Sequence, residues 1–308
     1  MTHTFKYVGI ETTTICNAKC VVCPREDHYG HRFGYMDQKL FEKIILDLRD
    51  NHEIDSLIRF GGMGDASCDR FLLDRLRFIK REAPQLKVGL SSNMEVWRRP
   101  FSEAIVAEEL ASHMRFSILA YSEEFSDKVY KDRKLAEKAR ARIDEFIEIN
   151  EHAGHPVWIE VYTLMLDGME RDVELIKERY WDAADEFEVW KPHAWSNIFP
   201  DLRPRQEDRC PCKSVTHMDQ ILIGIYGDVI PCSMDINYTL SMGSLQHRTL
   251  DEILTGEKCR NLQSMNATGR IEENPACNGC VYLNARPTEV MLESKSHGLR
   301  IDRQELSA

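Results

Sequence analysis

Near the start of the chain, Cys16, Cys20 and Cys23 are spaced C-x3-C-x2-C within TTTICNAKCVVCP. Three thiolates on one short loop can hold three corners of an iron-sulfur cube and leave one iron open to a small chelating ligand, whereas zinc sites usually close with four ligands. A zinc knuckle completed by His28, or three unrelated buried thiols, is the other chemistry these residues allow. A second set lies far downstream, with Cys212, Gly227 and Cys232 as C-x14-G-x4-C and then Cys277 and Cys280 as C-x2-C. Four thiolates can ligate a cluster completely or close around zinc. Cys210, in Cys210-Pro211-Cys212, competes with Cys212 for one position, and the spacing favours Cys212.

The segments that must position these thiols alternate in type. Apolar, strand-like runs at 7–10, 57–60 and 87–90 are followed by helix-periodic segments at 38–49, 71–81 and 103–110. Further strand-like runs at 115–119, 158–164 and 186–190 are separated by helical patterns at 135–150 and 170–180. Such alternation predicts an α/β fold with a parallel sheet, here six units of a partial (β/α)6 barrel. Chemistry in barrels gathers at the C-terminal ends of the strands, and the triad, Gly61, Ser91, Ser117 and His193 fall at or just beyond such ends. Pro200, Pro204 and Pro211 then mark a connection, after which 220–226 and 229–230 read as a hairpin turning near Gly227-Asp228. The expected organisation is a barrel over 1–198, a small auxiliary domain over 199–285, and a tail or surface helix over 286–308.

Composition narrows the function classes. Forty basic against fifty-one acidic residues give a net charge of −11, which argues against a nucleic-acid backbone as partner and favours cationic or neutral ligands. The stretch MTHTFKYVGIETTT has no cationic segment leading into an apolar core, and no apolar run is long enough to span a bilayer, so no membrane association and a cytoplasmic location are expected. Ten cysteines in that setting point to metal or catalytic thiols before disulfides.

With the triad directly after the first strand and the apolar Val22 before its last cysteine, the chain resembles the radical S-adenosylmethionine (radical SAM) superfamily. The second cysteine set resembles the twitch domain, the shortened form of the SPASM domain. The resemblance implies two 4Fe-4S clusters, one binding SAM through its open iron and one auxiliary, with an electron donor such as flavodoxin or ferredoxin. It also implies SAM contacts at Gly61, Gly62, Ser91, Asn93 and Ser117. In Gly61-Gly62-Met63-Gly64-Asp65, Met63 stands where the family carries Glu in a Gly-Gly-Glu motif, which leaves the role of Asp65 open.

Among radical SAM enzymes the chain resembles those acting on aminoglycosides, both epimerases of the neomycin type and dehydrogenases that oxidise an aminocyclitol. Cys259 is an extra thiol between the second and third auxiliary ligands, after a helical stretch at 250–254. Its position leads us to expect it over the barrel mouth as the hydrogen donor of a radical SAM epimerase that inverts a carbon of a cationic aminosugar. A dehydrogenase using the auxiliary cluster as electron acceptor is the alternative, and a non-catalytic iron-sulfur or zinc protein a third reading. Candidate substrate contacts are Glu160, Glu188, His193, Trp195 and Asp235.

Overall fold

The computed structural model describes residues 3–195, 198–199, 211–278, 280, 290–296 and the backbone of 299–300. Six strands follow one another in the sheet in chain order: β1 (His3–Ile10), β2 (His52–Phe60), β3 (Val88–Ser92), β4 (His113–Ser117), β5 (Trp158–Leu164) and β6 (Glu186–Trp190). All five neighbouring pairs are parallel. The crossovers carry α1 (Arg25–His28), α2 (Gln38–Asn51), α3 (Leu72–Glu82), α4 (Arg99–Ala107), α5 (Glu123–Tyr130), α6 (Leu135–His152) and α7 (Glu170–Tyr180). This is the open, partial barrel that the alternation predicts, and no described helix is long and apolar enough to cross a membrane.

Helix α2 shows how sequence fixes the two faces of the sheet. Asp37 caps it by accepting from the amides of Lys39 and Leu40, and Leu40, Phe41, Ile44, Ile45 and Leu48 recur with helical period on its buried side. Phe41 packs edge-on against Phe60 of β2, with ring centres 5.8 Å apart. Side chains alternate along a strand, so Ile10, Val8, Ile58 and Phe60 face the helices, while Tyr7, Gly9 and Arg59 face the lumen.

The C-terminal part extends the same sheet. β7 (Gln220–Ile223) pairs in parallel with the free edge of β1, and β8 (Asp228–Ile230) and β9 (Gly243–Ser244) follow antiparallel. The β7–β8 turn holds Gly227 at φ 82°, where only glycine is unstrained. Register carries the faces across: Ile221 and Ile223 lie beside Val8 and Ile10 on the helix side, and Leu222 lies beside Gly9 on the lumen side. α8 (Lys213–His217), α9 (Leu250–Leu254) and α10 (Glu257–Ala267) complete this part. α9 begins with a capping box between Thr249 and Glu252, and its Leu250 amide donates to Asp47 of α2 at 3.2 Å.

At the other edge, β10 (Met291–Ser294) pairs antiparallel with β6 and then with β11 (Leu299–Arg300). Part of the segment expected to be a tail or surface helix is therefore strand. Leu292 and Ser294 are buried while Met291 and Glu293 are half-buried, an alternation too short to stand out in the sequence. The open hydrogen-bonding edge of β6 supplies the partner.

Candidate active site

The triad loop leaves the C-terminal end of β1 and is held mainly through its backbone. Arg75, fully buried on α3, donates to the carbonyls of Thr12 at 3.0 Å and Met36 at 2.5 Å, and pairs with buried Asp69 at 3.3 Å. Arg25 donates to the carbonyls of Cys16 at 3.3 Å and Ala18 at 3.1 Å. The amide of Val21 donates to Val129 at the end of α5, and the Trp195 indole, from beyond β6, donates to the Val22 carbonyl at 2.8 Å. Cys16 Sγ accepts from the Ala18 amide at 3.4 Å and from Asn93 Nδ2 at 3.7 Å. Burial raises all three thiols, Cys20 to about 12, and each of Cys16 and Cys20 is pushed further by a neighbouring cysteine of the triad. Thiols so disposed become thiolates when a cationic metal centre takes them as ligands.

The loop after β2 lies against this one. The Asp65 amide donates to the Ile15 carbonyl at 3.0 Å, and a side chain at Gly64 would collide with the Thr13 carbonyl. Asp65 accepts from the Ser92 hydroxyl at 2.8 Å and the Asn93 amide at 2.6 Å, so its carboxylate ties the loop after β2 to the end of β3. Ser91 faces Gly61, and Ser117 ends β4 half-buried. The amide of Met63 donates to Glu11 Oε1 at 2.7 Å. Glu11, Arg25 and Arg75 were not singled out in the sequence. The legible signal for Glu11 is a lone carboxylate at the end of an apolar strand.

Deeper in the lumen, charge is balanced. Arg59 pairs with Glu160 at 3.0 Å, and Arg115 pairs with Glu160 at 2.8 Å and Glu188 at 3.2 Å. The Trp190 indole also donates to Glu188 at 2.9 Å, and Arg115 stacks 4.0 Å over Tyr162. These two carboxylates thus have arginine partners that a substrate ammonium would have to displace. His193 shares a 2.9 Å hydrogen bond with the Tyr162 hydroxyl and lies between Trp190 and Trp195. Burial, and then the charge of Arg115, pushes His193 down to about 4, so it is neutral near pH 7.

The second cysteine set is gathered beside the sheet extension. Cys212 precedes α8, Cys232 follows β8, and Cys277 and Cys280 flank a tight turn in which the Cys280 amide donates to the Cys277 carbonyl at 3.1 Å. Burial raises Cys277, and so do the charges of Cys232, Cys280 and Cys212, which places the four together. Cys210 lies outside the described residues. Asn266 of α10, unforeseen in the sequence, brackets Cys212 by accepting from its amide at 2.8 Å and donating to its carbonyl at 2.9 Å. Asp235 accepts from the Leu240 amide at 2.7 Å and the Thr239 hydroxyl at 3.0 Å, holding the turn after Cys232. A single tetrahedral zinc would draw its sulfurs to within about 4 Å of one another. Among the described residues, no three His, Cys, Asp or Glu side chains are arranged to hold one metal ion.

Cys259 is placed differently from the sequence expectation. It is buried on α10, which packs with α8 and α9, and a side chain at Gly243 would meet Ile253 of α9 on the face shared with Val229, Ile223 and Ile10. That is the helix side. The lumen side at this point carries Leu222, Ile230 and Tyr238 instead. α9 lies beside α2, behind the sheet, because its apolar side follows the outward-facing residues of β7 and β8, and α10 packs on α9 and α8.

A profile of the SPASM iron-sulfur cluster-binding domain matches residues 210–281, which contain all four cysteines of the second set. Solved structures of low identity share the fold over most of the chain. BtrN in complex with AdoMet and 2-DOIA superposes with a TM-score of 0.62 at 15% identity, covering 94% of this chain and 100% of BtrN. The chain shares the fold of these structures, and its residues 210–281 match the SPASM iron-sulfur cluster-binding domain. anSMEcpe with bound AdoMet gives 0.63 at 12% identity over 92% of each chain. SuiB of Streptococcus suis, bound to the precursor peptide SuiA, gives 0.64 at 11% identity over 90% of this chain and 71% of SuiB. The tungsten-containing aldehyde ferredoxin oxidoreductase cofactor-modifying protein of Pyrococcus furiosus is 33% identical over 88 residues, which are 29% of this chain and 24% of that relative.

Proposed function

We propose that the protein is a radical SAM dehydrogenase that oxidises an alcohol of a small polyhydroxylated substrate, an aminocyclitol or aminosugar, to a ketone. The observation that supports this most is the gathering of four thiols beside the sheet, separate from the triad, which suits a closed auxiliary cluster. Cys16, Cys20 and Cys23 would hold the first cluster and leave one iron for SAM, with the backbone of Gly61, Gly62 and Met63 and the polar groups of Asp65, Ser91, Asn93 and Ser117 around it. When bound, these groups supply a 5'-deoxyadenosyl radical to take a hydrogen atom and an acceptor for the electron left behind. The chain's own task is then to take the hydroxyl proton. His193, hydrogen-bonded to Tyr162 beyond the end of β6, stands where it could receive that proton. Trp190 and Trp195 wall the same space and restrict water. The match in length and coverage with BtrN supports a small-molecule substrate, whereas the likeness to SuiB leaves peptides to be tested alongside.

Epimerisation is the competing outcome. Its expected hydrogen donor, Cys259, is buried on α10, which packs with α8 and α9, and this favours the dehydrogenase. Anaerobic incubation with SAM, dithionite and candidate aminocyclitols, aminosugars and peptides in deuterated water separates the readings by product mass. A ketone two mass units lighter than substrate supports the dehydrogenase. An isomer carrying one solvent deuterium would establish the epimerase, and absence of SAM cleavage would favour a non-catalytic cluster protein.

A further inference from the structure

Glu11 directly follows β1, continuing its lumen-side alternation, and is almost completely buried. One oxygen accepts from the Met63 amide at 2.7 Å, within the loop after β2. The other accepts from the Tyr238 hydroxyl, 227 residues away, in the turn that follows Cys232. The Ile225 amide, in the β7–β8 turn, donates to the same carboxylate. Two glycines are shaped around this pair. A Cβ at Gly62, which holds φ 143°, would lie 2.5 Å from Glu11 Oε1, and one at Gly224 would lie 2.6 Å from the Tyr238 ring. Tyr238 itself adopts the left-handed conformation at φ 55° and packs on Leu222 and Ile230. A strained tyrosine and two glycines cut to fit are costly features for a mere surface contact.

The geometry points to Glu11 and Tyr238 as a positioning pair that pins the Gly61–Gly62–Met63 backbone, where the proposed SAM site lies, to the auxiliary-cluster part of the molecule. The inference rests on the functional reading above for the identity of the ligand. Neither residue touches the reacting atoms. Glu11 fixes one peptide of the loop, and Tyr238 fixes Glu11 from the far side, so loosening the auxiliary turn loosens the loop. The device also accounts for Met63 standing where the family carries Glu: the carboxylate that shapes this loop comes from the residue that follows β1.

The test uses the full chain with both clusters reconstituted anaerobically. Tyr238→Phe keeps the ring and removes one donor. The expected result is faster amide hydrogen exchange across 61–65 without SAM and about tenfold weaker SAM binding by calorimetry, with iron content unchanged at both sites. Glu11→Gln can still accept from Met63 and donate to a reoriented Tyr238 hydroxyl, so its exchange and affinity should stay near those of the native protein. A folded Tyr238→Phe protein with native exchange in this segment overturns the proposal. So does a Glu11→Gln protein as impaired as Tyr238→Phe, since the loss would then belong to the charge. If the native protein bound no SAM, the functional reading would fail, while the exchange comparison would still decide whether the pair positions the loop.

Discussion

The two cysteine-bearing regions are built on opposite plans. The triad loop is a long excursion fastened from outside, with Arg75 and Arg25 gripping its carbonyls and the loops after β2 and β3 leaning on its flank. The four-cysteine region is assembled from separate short elements, a helix start, a strand end and a tight turn, with Asn266 bracketing the first of them. A site that must admit a ligand needs a preshaped but open side, and buried arginines can hold backbone without occupying it. A site that only stores or passes charge can close its ligand shell. The difference teaches that the two clusters should respond unequally to the loss of ligands and supports.

The largest effect should come from the cysteines themselves. Replacing Cys16, Cys20 and Cys23 by Ala is expected to leave about four irons per chain and abolish SAM cleavage, whereas Cys232→Ala with Cys277→Ala should also leave about four irons yet retain SAM cleavage and lose the oxidised product. Iron and sulfide analysis with quantification of 5'-deoxyadenosine checks both. Equal loss of cleavage in the two proteins would break the comparison.

Next in size is the support under the triad. Arg75→Met removes the cation that Asp69 faces in a fully buried pair and frees the carbonyls of Thr12 and Met36. We expect a destabilisation of about 3–5 kcal/mol in urea unfolding, with iron lost from the triad site first. No counterpart arginine holds the second set among the described residues. Asn266→Ala should therefore cost less, about 1–3 kcal/mol for the unpaired backbone groups it leaves at Cys212.

How much of this was legible beforehand differs between the regions in the same way. The strand–helix alternation, the hairpin at Gly227 and both cysteine sets could be read because period and spacing are local properties. Arg75, Glu11 and Asn266 could not, since each acts through backbone groups tens to hundreds of residues away. Cys259 was misplaced for a related reason. Its distance along the chain from α9 is visible, but the face of the sheet on which α9 packs is decided by the register of β7 on β1. The pairing of β10 with β6 was hidden likewise, because a strand of only four residues takes its place from its partner.

A smaller effect concerns pH. His193, held to about 4 by burial and by Arg115, binds its proton more readily in the unfolded chain, where a histidine titrates near 6.5. Its contribution to stability is therefore intact above about pH 6.5 and lost progressively as pH falls toward 4. Urea midpoints of the native protein should decline over that window more steeply than those of His193→Gln. Parallel curves would mean that His193 is not buried in its neutral form.

The smallest effect is expected at Cys259. Because its thiol is packed on the helix side, Cys259→Ser should leave product identity and turnover unchanged and lower stability by about 1 kcal/mol. Loss of product with continued formation of 5'-deoxyadenosine would restore the epimerase reading.

The central claim, that one cluster is open and the other closed, is tested most directly by electron–nuclear double resonance on the reduced protein with SAM labelled at its amino nitrogen and carboxylate oxygen. The account predicts nuclear couplings to the label in the protein carrying Cys232→Ala and Cys277→Ala, whose triad is intact, and none when Cys16, Cys20 and Cys23 are replaced by Ala. Couplings that persist without the triad, or that vanish when only the second set is removed, would contradict it.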